Sequence, residues 1–167
     1  MPQITRYQAA IMRGEKILLI KHQEHKNGRA YWVLPGGGIE NGETEVQCVR
    51  REVQEETNLE IKVVELLLDE PPQHEENGVY QRFKTFLCHP LTIAATPGYE
   101  PEPEAAAKYA ITDVRWYNIH DETTWDQLIV NDPISAPGLR RIRAALQQRE
   151  LYSEEMAESR DIERDRC

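Results

Sequence analysis

The chain has 167 residues and a mass of 19.4 kDa, the size of one domain with room for a real core. Hydrophobic residues make up 40% and charged residues 29%, with 10 Pro and 9 Gly, which excludes collagen-like and low-complexity chains and argues against global disorder. Acidic residues outnumber basic ones by 29 to 20, and the net charge of −9 repels nucleic-acid backbones and anionic membranes, so an anionic small substrate would need bound metal or an arginine pocket.

Residues 4–12 and 16–22 read as two strands joined by a turn at Arg13-Gly14-Glu15. His22 to Arg29 reads as a polar loop carrying His22 and His25, and Tyr31–Leu34 as a short strand stopped by Pro35 and three glycines. Residues 44–57 have a helical pattern, with Thr44 and Gln47 as a capping box and Asn58 as a left-handed C-terminal cap. Two further strands are expected at 60–69 and 79–88, around a polar loop at 71–78. The Pro-Glu-rich stretch 96–105 reads as a loop. A strand at 114–117 and helices at 121–130 and 137–149 follow, the last with Leu139, Ile142 and Leu146 inward and Arg140, Arg141 and Arg143 in water. Residues 1–149 are expected to form one domain, and the charged tail 150–167 a frayed helix or a disordered segment.

Cys48, Cys88 and Cys167 lie far apart, which fits a reducing compartment better than a disulfide framework. Thr5, Arg6 and Gln8 interrupt any apolar signal stretch, and the run Ile17–Ile20 falls far short of a membrane span of about 20 residues. A soluble cytoplasmic protein is expected.

The helix at 44–57 carries the chemistry. At about 100° per residue, Val46, Val49 and Val53 fall within an arc of roughly 60° that must face a core. Glu56, Glu52 and Glu55 lie successively farther round from Val49, so these carboxylates start at the edge of the buried face. Glu52 and Glu56 form a like-charge i,i+4 pair, and Arg51 is placed to offset only Glu55. A divalent cation would relieve that repulsion, because hard cations take oxygen ligands. The glycines before the helix permit close approach by a ligand.

Residues 37–59 resemble the signature box of the Nudix hydrolase superfamily, G-x5-E-x7-R-E-U-x-E-E-x-G-U, where U is a bulky aliphatic residue. Gly37, Glu43, Arg51, Glu52, Val53, Glu55, Glu56 and Leu59 match at the required spacing, and Asn58 stands where the family has glycine. The resemblance implies an α/β (α+β) fold, a Nudix-like αβα sandwich with a mixed sheet between helices. It implies Mg²⁺ or Mn²⁺ held by Glu52, Glu55, Glu56 and the Gly36 carbonyl. It also implies a catalytic role for Glu52, Glu55 and Arg51, with Arg51 orienting Glu55 by a charge-assisted pair. Glu43 would support the loop or bind a second metal.

The reaction implied is hydrolysis of the diphosphate linkage in a nucleoside diphosphate attached to another group. The general base is either Glu52 or a loop glutamate, with Glu102, Glu104, Glu75 and Glu76 as candidates. Tyr31, Trp32, Tyr80 and Arg82 are candidates for substrate contact, the aromatics by stacking on a base. The partner expected is a small-molecule nucleotide, with neither a nucleic-acid polymer nor a membrane; a homodimer is left open. The site so read holds very little fixed positive charge, so binding a diphosphate is expected to depend on metal. A nucleotide sensor on the same fold is the alternative, but such relatives typically lose box glutamates. A calcium module is disfavoured because the acidic spacing is helical.

Overall fold

The computed structural model describes residues 4–73 and 78–164. Strands β1 (Thr5–Arg13) and β2 (Lys16–Glu24) form the predicted hairpin, with Arg13 opposite Lys16 and Gly14 in the turn at φ 59°. Then come β3 (Ala30–Val33), β4 (Gly36–Gly37), α1 (Glu45–Thr57), β5 (Ile61–Glu70) and β6 (Arg82–Pro90). The chain continues through α2 (Pro103–Ala106), β7 (Tyr109–Asn118), a 3-10 turn at Glu122–Thr124, α3 (Gln127–Val130) and α4 (Ser135–Arg164).

The sheet runs β3-β2-β1-β6-β5, with β4 paired to β1 and β7 to β2. β1 and β6 are parallel and the other pairs antiparallel, so the sheet is mixed, as expected. Alternation along β1 sends Ala9 and Ile11 to one face and Ala10 and Met12 to the other. The first pair packs with Val49 and Val53 of α1, the second with Leu139 and Ile142 of α4. Helices therefore cover both faces, and the expected sandwich is what forms. No helix among the described residues is long and apolar enough to cross a membrane.

Several expectations are corrected. His22 belongs to β2 and is only 4% exposed, because β2 runs on to Glu24 against β7. The strand expected at 114–117 spans Tyr109–Asn118 for the same reason, since its whole length pairs with β2. The helix expected at 121–130 is two short pieces. Asp121 accepts the Thr123 N–H and Asp126 the Leu128 N–H, so each piece has its own cap, and the extended Trp125 between them is buried. The last helix begins at Ser135 and continues through the tail to Arg164, exposed throughout its final third.

Candidate active site

Helix α1 begins with the predicted capping box: the Gln47 N–H donates to Thr44 Oγ1 at 3.2 Å, and the Thr44 N–H to Gln47 Oε1 at 2.9 Å. It ends at Asn58, at φ 58° in the left-handed region, whose N–H donates to the Gln54 carbonyl at 3.0 Å. Val46 is 43% exposed and drops out of the core, and the buried face consists of Cys48, Val49, Glu52, Val53, Glu56 and Thr57. Glu52 and Glu56 thus lie within the buried face, not at its edge; they are 3% and 1% exposed.

The glycine run closes over these carboxylates. Gly36 and Gly37 pair with Gln8 and Tyr7 of β1, and the Gly36 N–H donates to Glu56 Oε1 at 2.7 Å. A Cβ on Gly37 would run into the Glu52 carboxylate, and one on Gly36 into the Tyr7 carbonyl, so any larger residue would displace what the loop holds. It is the Gly36 amide that meets Glu56; its carbonyl remains a proposed ligand.

Arg51 is the hub. Its Nε and Nη2 donate to the two oxygens of Glu43 at 2.6 and 3.1 Å, its Nη1 to Glu52 at 2.9 Å and Glu55 at 3.2 Å, and its Nη2 to the Gly38 carbonyl at 3.1 Å. The pairing with Glu55 is the one the resemblance implied, but the shortest bond goes to Glu43. Bidentate geometry and the Glu40 N–H hold the Glu43 carboxyl below its ordinary range and tie the loop to α1.

Burial, reinforced by the neighbouring Glu56 charge and opposed by Arg51, pushes Glu52 up to about 8. Burial also pushes Glu56 up to about 8, against Arg6 and the Gly36 N–H. Beyond Glu56 lies His22, with Nε2 at 3.8 Å from Glu56 Oε2. Neither atom has a hydrogen-bond partner among the described residues. Burial and the Arg6 charge push the imidazole down to about 3, so this contact is not an ion pair. Tyr109 stacks on His22 with ring centroids 4.1 Å apart and donates to Glu100 Oε2 at 2.9 Å.

Glu100 arrives through an interaction the sequence reading missed. The Thr96, Gly98 and Tyr99 N–H groups donate to the Thr57, Glu56 and Glu55 carbonyls at 2.9, 2.8 and 3.1 Å, strapping the Pro-Gly loop across the end of α1. Gly98 lies so close to the Glu55 carbonyl that a Cβ there would collide with it. The strap makes Glu100 the loop carboxylate whose charge reaches Glu55 and Glu56. Of the loop candidates named from sequence, Glu102 stands at the N-terminal cap of α2 and Glu104 in its first turn, both exposed, and Glu75 and Glu76 lie outside the described residues.

The substrate-contact candidates separate. Arg82 is paired with Asp69 at 2.5 Å and does not join the cluster. Tyr31 packs edge-on against His22 at 5.5 Å, and Trp32 is 1% exposed in the core. Trp32 and Tyr80 line a cavity of about 270 Å³ between the sheet and α4, together with Leu34, Phe83 and Leu139. Arg6 lines it too, and its charge acts on Glu56 and Glu52.

The NUDIX domain family model matches residues 4–138. The chain belongs to the Nudix family. Among curated relatives, the NAD-capped RNA hydrolase NudC of Photobacterium profundum is 42% identical over 96 residues, 58% of this chain and 34% of that protein. NudC of Erwinia tasmaniensis is 45% identical over 108 residues, 65% of this chain and 36% of that protein. The chain spans about a third of the length of these relatives. A Nudix hydrolase from Nitrosomonas europaea superposes with a TM-score of 0.63 at 23% identity, covering 86% of this chain and 72% of the other, which shows the shared fold.

Nudix hydrolases generally use divalent metal ions, and the donor set in this Nudix chain suits one. Two desolvated carboxylates with raised proton affinity and an unpartnered Glu56 oxygen are chemistry that a hard cation satisfies. Among the described residues, no three Asp, Glu, His or Cys side chains already converge as a ligand set; Arg51 grips Glu52 and Glu55.

Proposed function

We propose that this chain is a metal-dependent Nudix pyrophosphohydrolase that cleaves the diphosphate linkage of a nucleoside diphosphate attached to another group. The observation that carries the reading is the burial of Glu52 and Glu56 under the glycine turn, in a fold that also holds an apolar cavity between the sheet and α4. Buried like charges destabilise a helix that has no cation to hold. Glu52, Glu56, Glu55 and the Gly36 carbonyl would hold Mg²⁺ or Mn²⁺, and Arg51 would release Glu52 and Glu55 to do so while keeping Glu43, a loop support. When bound, the ion supplies charge neutralisation at the phosphate oxygens and a more acidic attacking water. Glu100, fixed by Tyr109, replaces Glu102 and Glu104 as the loop carboxylate proposed to take the proton, with Glu52 as the other candidate. The cavity takes an aromatic base or similar ring, which fits a small-molecule nucleotide substrate. Residues 1–149 would form the working domain, and buried, unpaired Cys48 and Cys88 suit a reducing cytoplasm.

A hydrolysis panel tests this reading: nucleoside triphosphates, ADP-ribose, dinucleoside polyphosphates, nucleotide sugars and NAD-capped RNA, each with Mg²⁺, Mn²⁺ or chelator. The capped RNA belongs there because the NudC relatives carry that activity in their names. Expected products are a nucleoside monophosphate and the phosphorylated second group, in the metal arms only. Metal-dependent binding with no turnover anywhere on the panel favours the nucleotide sensor instead.

A further inference from the structure

The sequence places little fixed positive charge near the carboxylates, yet the fold delivers one. Arg6 sits in β1, in register with Phe83 of β6, one residue before the Tyr7–Gly37 pair. Its Nη2 donates to the Leu34 carbonyl at 2.9 Å and its Nε to Gln8 Oε1 at 3.3 Å. Gln8 is itself fixed by donating through Nε2 to Thr85 Oγ1 at 2.9 Å. The Tyr80 ring lies 5.8 Å from the guanidinium carbon. These contacts set the plane of the fork, and a guanidinium has five N–H donors, so donors remain for a ligand oxygen.

Two observations locate this cation. Arg6 belongs to the wall of the apolar cavity, beside Tyr80, Phe83 and Leu34. Its Nη2 also donates to the Leu34 carbonyl, two residues before the Gly36 whose N–H meets Glu56, and its charge acts on Glu56 and Glu52. It therefore stands between the place suited to a ring and the place suited to a metal. Burial costs this cation desolvation, but the surrounding groups, Glu56 foremost, outweigh that cost and hold the guanidinium charged. A planar fork in such a place matches a phosphate, which it can meet with two parallel hydrogen bonds.

We propose that Arg6 is a substrate-binding residue that takes the phosphate attached to the group lodged in the cavity, so that a nucleoside phosphate lies ring-inward, phosphate on Arg6, and diphosphate linkage toward Glu52 and Glu56. This rests on the reading of the carboxylate cluster as the hydrolytic site. It revises the expectation that binding depends on metal alone: the nucleoside monophosphate half should bind weakly without any.

The test is calorimetry in excess chelator with the four nucleoside 5′-monophosphates, their nucleosides and inorganic phosphate, on the whole chain. At least one monophosphate should bind the wild type in the millimolar range, more tightly than its nucleoside or inorganic phosphate. Arg6→Met should weaken it by about tenfold or more, the scale of a lost bidentate charge-assisted contact, and leave the nucleoside unchanged. Arg6→Gln, which can still donate to the Leu34 carbonyl, carries the same criterion should the Met variant fail to fold. In the wild type, the Arg6 Nε–H resonance should shift along the same titration. No monophosphate binding to the wild type, equal binding by a folded variant, or a stationary Arg6 resonance overturns the proposal. With metal restored, the variants should raise KM more than they lower kcat. Absence of wild-type turnover across the hydrolysis panel would defeat the hydrolase reading and leave the chelator result to judge Arg6.

Discussion

Glu52 and Glu122 look alike in a list of contacts and behave oppositely. Each carboxylate receives arginine hydrogen bonds: Glu52 from Arg51 at 2.9 Å, Glu122 from Arg140 at 2.6 Å and Arg143 at 3.0 Å. Glu122 lies at the surface, and its arginines hold its carboxyl down to about 2. Glu52 is almost fully covered beside a second glutamate, and burial drives it up to about 8 despite Arg51. An ion pair in water is a minor stabiliser, whereas a covered carboxylate beside another one is a cost the fold must keep for a reason. The pairing of charges therefore does not mark a site; the desolvation of like charges does.

The largest effect expected from breaking this contrast is on turnover. Glu52→Gln or Glu56→Gln should lower kcat by about hundredfold or more at saturating Mg²⁺, since each removes a charged oxygen donor from the proposed metal set. Above pH 8, where both carboxyls are charged, their metal-free melting temperatures should equal or exceed that of the wild type, because like-charge repulsion is relieved. Either variant retaining near wild-type turnover would remove that residue from the site.

Next comes pH. Glu52 and Glu56 are raised from 4.5 to about 8 on folding, so between those values the folded chain holds protons that the unfolded chain has lost. Metal-free stability should fall as pH rises through that window, read as a declining urea midpoint, and Glu52→Gln should flatten the slope. Glu122 has the opposite sign: its contribution is present above 4.5 and is lost as pH falls toward about 2.

A backbone change at the end of α1 should be smaller and purely structural. Asn58→Val places a β-branched residue in the left-handed region and removes the Nδ2 bond to Thr96 Oγ1 at 2.9 Å, for a cost of about 1 kcal/mol or more by urea unfolding. Asn58→Gly should be close to neutral, its relief of strain offset by that lost bond. Indifference to Val would show that the cap carries no strain. Smallest of all should be Glu122→Gln, with turnover unchanged and only a slight loss of melting temperature that vanishes in high salt.

Local physics made much of this legible in advance. The alternation in β1 and β2, the Thr44–Gln47 box and the left-handed Asn58 each depend on residues close in sequence, so the hairpin and α1 could be read directly. The box spacing likewise places Glu52, Glu55 and Glu56 together from the sequence alone. Helix 121–130 was misread because two aspartate caps interrupt what periodicity alone joins. His22 was misread because its burial depends on β7, which lies more than 80 residues away.

The sequence by itself determined the first hairpin, helix α1, the family and which helix carries the carboxylates, because those follow from short-range periodicity and fixed spacing. Only the tertiary structure decided how deeply Glu52 and Glu56 are buried, which depends on the glycine turn pressed against them by β1. It alone brought Glu100 to the end of α1, through backbone hydrogen bonds whose only mark on side-chain identity is the glycine at 98, where a Cβ would strike the Glu55 carbonyl. The same is true of Arg6. Nothing near it in the chain marks it for the site, and its place between cavity and carboxylates exists only because β1 runs beside β4 and β6.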